Sequence, residues 1–208
     1  PRSRPNRTVN PMTDERSSHR GPAPGWLGGA ARLITPVYER VVARRNRAWD
    51  LGKGVVTIDR PVISVGNLSV GGTGKTPTVA AIVRWLLDAG HRPAIAMRGY
   101  KSKGGVSDEA AEYASLFGDD VPVVAQPDRL EGLLRLFARV GDEVDCIVLD
   151  DGFQHRRIAR QFDVVLIDAS RDPFTDRCLP SGWLREPVSS LARADAVVLT
   201  HAEMVDSS

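Results

Sequence analysis

The run PVISVGNLSVGGTGKTP, residues 61–77, limits this chain more than any other feature. A short β-branched stretch, Pro61–Val65, leads at once into a loop with glycine at 71, 72 and 74. Lys75 and Thr76 then open a helical pattern, with Val79, Ile82, Val83, Leu86 and Leu87 on one face and Gly90 at its end. A strand, a Gly-rich loop and a helix in that order form a phosphate-binding unit. The glycines let backbone N–H groups turn inward around an anion, and the helix N-terminus adds partial positive charge. The residues Ser69, Val70, Gly71, Gly72, Thr73, Gly74, Lys75 and Thr76 match G-x-x-x-x-G-K-[ST] except at the first position, which is Ser69. That position mainly shapes the turn, so serine is compatible with it. Lys75 is expected on the β- and γ-phosphates of ATP, and the Thr76 hydroxyl on Mg²⁺.

The rest of the chain repeats the alternation. PAIAM, VPVVA, CIVLD, DVVLID and DAVVLT read as buried strands, nearly continuous in apolar residues. DEAAEYASLFG and PDRLEGLLRLFARVG read as helices between them. The expected fold is α/β, a doubly wound, mostly parallel sheet with flanking helices of the P-loop NTPase type.

A phosphate loop of this kind needs an acidic partner at the end of a buried strand, to hold the metal or its waters. CIVLDDGFQH supplies Asp150 and Asp151. Side chains alternate along a strand, so these two carboxylates point apart and take different roles. His155, after the turn, is read as structural rather than as a base. Asp108 and Glu109 open a helix, where acids suit the macrodipole whether or not they do chemistry.

Charge divides the chain. Residues 1–60 hold 12 Lys/Arg against 5 Asp/Glu, a balance of +7, and residues 61–208 hold 16 against 21, a balance of −5. The acidic body argues against nucleic acid as a partner. Residues 1–25 are rich in Pro, Arg and Ser and are expected to be disordered. Residues 26–60 read as a basic amphipathic segment. A helix is expected to start at Thr35-Pro36, with Val37, Tyr38, Val41 and Ala48 on one side, Glu39, Asn46 and Arg47 on the other, and Arg44 and Arg45 flanking the apolar stripe. With Trp26 and Trp49, this segment suits a membrane headgroup boundary, and a helix packed on the domain and a nucleic-acid patch are the alternatives. Two cysteines, Cys146 and Cys178, are too few for a disulfide framework, which points to a cytoplasmic setting.

Val70 stands where the partition and septum-site ATPases carry a signature lysine, which argues against that family. In contrast, PVISVGNLSVGGTGKTP, MRGYKSKG, SDEA, VLDDGFQH, VVLIDA and LPSGWLREP, in this order, resemble the tetraacyldisaccharide 4′-kinases, the lipid A 4′-kinases of Gram-negative envelopes. The resemblance covers roughly residues 61–200, and that family's own loop also begins without the usual glycine.

The resemblance implies transfer of the ATP γ-phosphate to the 4′-hydroxyl of lipid A disaccharide 1-phosphate, on the cytoplasmic face of the inner membrane. It implies Asp108 as the base, Glu109 as a metal-binding or positioning acid, and Asp150 and Asp151 as a second acidic pair. Arg98, Tyr100 and Gln154 would line the site. Arg185 is read either as a substrate contact or as a surface arginine. The resemblance also implies that residues 61–208 are an N-terminal lobe, with a C-terminal lobe beginning where this chain ends. The chain departs from the family in the short stretch between Tyr100 and Asp108, where Lys101 replaces the usual glycine. Other readings are an ATPase switch that acts on a protein partner, or an inactive piece that only binds ATP.

Overall fold

The computed structural model describes residues 28–99 and 108–204. The expected leader at 1–25, Trp26, Tyr100 and Lys101 lie outside them.

Six strands form one sheet: β1 (Val62–Asn67), β2 (Pro93–Met97), β3 (Val123–Ala125), β4 (Cys146–Asp150), β5 (Phe162–Asp168) and β6 (Ala196–Thr200). Their order is β3-β2-β4-β1-β5-β6, and every neighbouring pair is parallel. The expected α/β doubly wound sheet is present, and it is parallel throughout. β2 and β4 are buried along their whole length, which is why their sequences do not alternate.

Four helices accompany the sheet: α1 (Gly28–Asp50), α2 (Lys75–Asp88), α3 (Asp108–Phe117) and α4 (Arg129–Val140). Right-handed crossovers put α2 and α3 on one face and α4 on the other. Val79, Ile82, Val83, Tyr113 and Phe117 pack over Val65, Ile95, Met97 and Val148 on the first face. Leu130, Leu133 and Leu136 pack over Ala94, Ala96, Ile147 and Leu149 on the second. The side chain of Asp128 caps α4 by accepting from the Glu131 N–H at 3.1 Å. The chain leaves β1 in one direction along the sheet and leaves β4 in the other. The carboxyl ends of these two adjacent strands therefore flank a crevice, where ligands bind in sheets of this type.

A third core, of Leu68, Phe153, Val165, Cys178 and Leu184, seats α1 through Tyr38. Here two expectations are corrected. The helix does not start at Thr35; it starts by Gly28 and runs through Pro36. Thr35 is buried mid-helix, its hydroxyl 3.0 Å from the Ala31 carbonyl and 2.7 Å from Ser181 Oγ, so a tertiary contact replaces the cap. Tyr38 does not share a face with Val37 and Val41. It turns inward with Ala31, Thr35 and Val42, donating from its hydroxyl to the Arg185 carbonyl at 2.8 Å. Asn46 also faces the body, where it donates to Glu186 Oε2 at 2.8 Å. Leu33, Ile34, Val37 and Val41 remain exposed, Leu33 by 80%.

Candidate active site

The crevice begins with the end of β1. Asn67 is fully buried, and its Nδ2 donates to the Ser69 carbonyl at 2.7 Å and to Thr73 Oγ1 at 2.8 Å. These bonds close the loop on itself. A second clamp comes from outside: Ser69 bridges Leu184, Val70 N donates to Trp183 O at 2.8 Å, and Arg185 N donates to Leu68 O at 2.7 Å. Gly74 then enters α2 with φ of 72°, a left-handed backbone that a side chain resists, and caps the helix with no side chain of its own. The first turn of α2 thus leaves its N–H groups open toward the loop, where an anion fits.

Lys75 extends from this turn into the crevice. Its Nζ lies 3.4 Å from Asn67 Oδ1 and 3.7 Å from Asp151 Oδ1. Across from it, Asp150 ends β4 and Asp151 follows it in the turn, where a left-handed backbone rather than strand alternation sets its direction. Asp150 is 4% exposed. Its Oδ2 accepts from the hydroxyl of Tyr113 at 3.0 Å, and Thr76 hydrogen-bonds the same phenol. Asp150 Oδ1 is buried and has no hydrogen-bond partner among the described residues. Burial pushes the Asp150 carboxyl above the usual range, against the pull of the Tyr113 hydrogen bond and the Lys75 charge. Burial also pushes up the Tyr113 hydroxyl, and the Asp150 charge adds to it. Asp151 adopts a left-handed φ of 52°. It faces the other way, with Arg185 Nη1 at 2.7 and 2.9 Å from its two oxygens, and its carbonyl accepts from Arg129 Nη1 at 3.1 Å.

α3 brings the remaining acids. Asp108 is its exposed first residue. Glu109, next to it, is also exposed, and its carboxyl is raised first by desolvation and then by the Asp150 charge. Thr76 and Asp150 share the Tyr113 hydroxyl, and Glu109 stands within reach of the Asp150 charge, so hydroxyl and carboxylate oxygens border the crevice near one orphaned buried oxygen. A hard divalent cation such as Mg²⁺ fits that donor set. Asp151 is already shared by two cations, so its part in metal binding requires Arg185 to move.

Beside the loop lies a cleft of about 620 Å³ whose lining includes Arg45, Trp49, Arg98, Arg129 and Arg185. The guanidinium of Arg45 stacks on Trp49 at 4.9 Å. Gln154 spans the junction of loop and cleft, donating to Asn67 O at 2.9 Å and lying 3.4 Å from Arg185 Nη1. His155 also lines the cleft; burial and then the Arg129 and Arg160 charges push its pKa down to about 4, so it is neutral at pH 7. The arrangement can hold a polyphosphate with its metal at one end and an anionic, partly apolar molecule in the adjoining cleft.

Lys75, Thr76, Asp150, Asp151, Gln154 and Arg185 thus gather at one crevice, while Asp108 and Glu109 are exposed at the start of α3 and make no hydrogen bond or ion pair with them among the described residues. Arg98 lines the cleft, and Tyr100 lies outside the described residues. Sequence reasoning missed Asn67, Tyr113 and Arg129. Tyr113 falls four residues after Glu109, on the same helical face, and that spacing was the available signal. It also missed Glu186, fully buried and held by Asn46 and by Arg193 at 2.9 Å, which ties α1 to the segment carrying Arg185.

Residues 30–208 match the family profile described as Tetraacyldisaccharide-1-P 4′-kinase. The tetraacyldisaccharide 4′-kinase of Pseudomonas fluorescens (strain SBW25) is 38% identical over 195 residues, covering 85% of this chain and 57% of that protein. That of Chlorobium chlorochromatii (strain CaD3) is 41% identical over 196 residues, covering 82% of this chain and 51% of that protein. The structure of LpxK from Aquifex aeolicus in complex with ATP aligns with a TM-score of 0.74 and 36% identity, covering 85% of this chain and 60% of that one. The chain spans about half the length of the curated relatives it matches. With a glycine loop, an acidic strand end and a profile match over nearly all of its length, the chain belongs to the tetraacyldisaccharide-1-P 4′-kinase family.

Proposed function

We propose that this chain carries the nucleotide site of an enzyme that moves the γ-phosphate of ATP, with Mg²⁺, to the 4′-hydroxyl of lipid A disaccharide 1-phosphate. Residues 61–208 are its nucleotide-binding lobe, and residues 26–60 hold it at the membrane. The observation that carries this reading is the pairing of Lys75 with the acids of β4 across the crevice, 3.7 Å from Asp151, next to an arginine-lined cleft. Bound Mg²⁺-ATP supplies the phosphoryl group and neutralises its charge. The loop N–H groups and Lys75 hold the phosphates. Thr76, Asp150 and Glu109 hold the metal, and Tyr113 orients Asp150. Asp108 accepts the proton of the attacking hydroxyl. The sugar phosphate and the start of its acyl chains suit a cleft lined by arginines together with Trp49 and Tyr38.

No helix among the described residues is long and apolar enough to cross a membrane. The exposed stripe of Leu33, Ile34, Val37 and Val41, with Arg40 and Arg44 nearby, is built to lie in a headgroup layer instead. We place it peripherally on the cytoplasmic face of the inner membrane, where the cleft beside α1 meets a lipid substrate.

The test separates binding from chemistry. Lys75→Ala should remove Mg²⁺-ATP binding measured by calorimetry on this chain, and unchanged affinity would sink the site assignment. In the full-length protein, Asp108→Asn should lower turnover by roughly 10²–10⁴-fold and leave ATP affinity unchanged. Asp150→Asn should weaken Mg²⁺-ATP binding as well, because a metal-shell carboxylate also serves the ground state. Full lipid phosphorylation by Asp108→Asn would show that the base lies elsewhere.

A further inference from the structure

We propose that His91, Asp145 and Cys146 form a binding site for a thiophilic divalent cation, Zn²⁺, at the amino ends of β2 and β4. The site lies at the opposite end of the sheet from the crevice, since β4 runs from Cys146 to Asp150. Three segments meet there. The turn after α2 is pinned to that helix by Gly90 N donating to Leu87 O and His91 N donating to Leu86 O, each at 2.9 Å. β2 then starts at Pro93, in parallel register with Cys146. Asp145 N donates to Arg92 O at 3.0 Å, and Arg92 N donates back to Asp145 Oδ1 at 2.9 Å. The backbone beside all three side chains is therefore fixed by hydrogen bonds of the fold itself.

One ligand atom from each of the three lies within 4.8 Å of the other two. His91 Nδ1 is 3.7 Å from Asp145 Oδ2. That is too long for a hydrogen bond. It is close to the separation of about 3.3–3.7 Å between two atoms that each bind one tetrahedral Zn²⁺ at about 2.0–2.3 Å. The Cys146 thiol hydrogen-bonds the Asp145 carboxylate, so its sulfur turns toward the same point, and it is free of any disulfide. Arg92 is the competing cation. Its Nη2 lies 3.9 Å from Asp145 Oδ2, but its Nε and Nη2 donate to the Glu143 and Asp142 carbonyls at 2.8 and 2.9 Å. The guanidinium thus neighbours the carboxylate without closing on it. A sulfur, an imidazole nitrogen and a carboxylate oxygen suit Zn²⁺ and are a poor set for Mg²⁺, which takes oxygens. The site therefore selects against the cation of the crevice. Binding releases the thiol proton to solvent and leaves the thiolate on the metal. Cys146 is buried and the His91 side chain is 55% exposed, so the ion enters from the His91 side and water takes the fourth position. An ion held there clasps the end of α2 to the start of β4.

The experiment titrates this chain with Co²⁺, a spectroscopic stand-in for Zn²⁺, in chelator-free buffer with a phosphine reductant. Wild type should gain the near-ultraviolet band of a cobalt–thiolate bond together with the strong visible bands of tetrahedral Co²⁺, and Zn²⁺ should displace them. Cys146→Ser should lose the thiolate band. Cys178→Ser, which alters the only other cysteine of the chain, should keep it. His91→Ala changes an exposed side chain and should fold as wild type, so it carries the test if Cys146→Ser does not fold. Its Zn²⁺ affinity should fall by about 100-fold or more, since losing a residue that merely supports a ligand already costs about 10–100-fold. Zn²⁺ should raise the melting temperature of wild type and not that of His91→Ala. Mg²⁺-ATP binding should be the same in His91→Ala and wild type, because the crevice lies at the other end of β4. Absence of a cobalt–thiolate band in wild type overturns the proposal, as does a band that survives Cys146→Ser or a Zn²⁺ affinity unchanged by His91→Ala.

Discussion

Gly66→Ala puts one methyl where β1 meets the turn after the acids. An ideal Cβ at Gly66 lies 2.6 Å from Phe153 Cβ and 2.7 Å from Phe153 N. Carbon atoms settle at about 3.5–4.0 Å, so the two segments must part by roughly 1 Å. Neither can do so freely. Phe153 is fully buried in the third core, and Gly152 N is bonded to Val65 O at 2.9 Å. Overpacking a rigid site costs about 1–3 kcal/mol, and a clash with backbone belongs at the upper end. The alanine returns about 0.4–1 kcal/mol by restricting the unfolded chain, because Gly66 does not need a positive φ. The net expectation is a loss of about 2 kcal/mol, read as a lower urea midpoint at constant slope. Function should suffer too, because Phe153 follows Asp151 by two residues and a shift of about 1 Å is enough to misalign charged groups. Mg²⁺-ATP affinity should fall along with stability. Gly29→Ala is the contrast: nothing lies within 4 Å of its Cβ in α1, and it should stabilise by up to about 1 kcal/mol. A Gly66→Ala midpoint equal to wild type would refute the close-packing argument.

Replacing Val37 and Val41 together by Asp should abolish co-sedimentation with anionic vesicles and leave Mg²⁺-ATP binding intact; undiminished sedimentation would move the membrane surface off α1. His155 gives a pH signature. Its folded pKa of about 4 lies below the unfolded value of about 6.5, so its stabilising contribution is whole above about pH 6.5 and is lost as pH falls toward 4. Discounted for the ring's partial solvent contact, the loss is about 1–2 kcal/mol. Urea midpoints at pH 7 and pH 4.5 should differ less in His155→Gln than in wild type, and equal differences would contradict the assignment.

The sheet was legible because buried parallel strands leave uninterrupted apolar runs, and β2, β4 and β5 are such runs. The loop was legible because Gly74, Lys75 and Thr76 act within one turn of chain. Asp150 and Asp151 do engage different partners, but alternation is not the reason: Asp151 lies beyond the end of β4 in a left-handed turn that no pattern of apolar residues records. The face of α1 was not legible. Its orientation is set by Thr35 meeting Ser181 and by Tyr38 meeting Arg185, contacts made 146 and 147 residues away. No local pattern records such a partner, and a Thr-Pro pair resembles a helix start until tertiary packing continues the helix past it.

Ser69 joins these two kinds of information. A glycine at the opening of such a loop gives the backbone freedom to turn. Here the turn is imposed from both sides instead. Asn67 Nδ2 binds the Ser69 carbonyl at 2.7 Å, and residues 183–185 run against Leu68–Val70 in a short antiparallel pairing. A residue held by two such clamps is in extended pairing, which serine adopts without strain, so glycine's freedom is not needed there. The same pairing carries Arg185 to the Asp151 carboxylate. The residue that looked like a defect in the loop is therefore where the loop is joined to the cleft, and the phosphate grip and the arginine wall are positioned by one set of backbone hydrogen bonds.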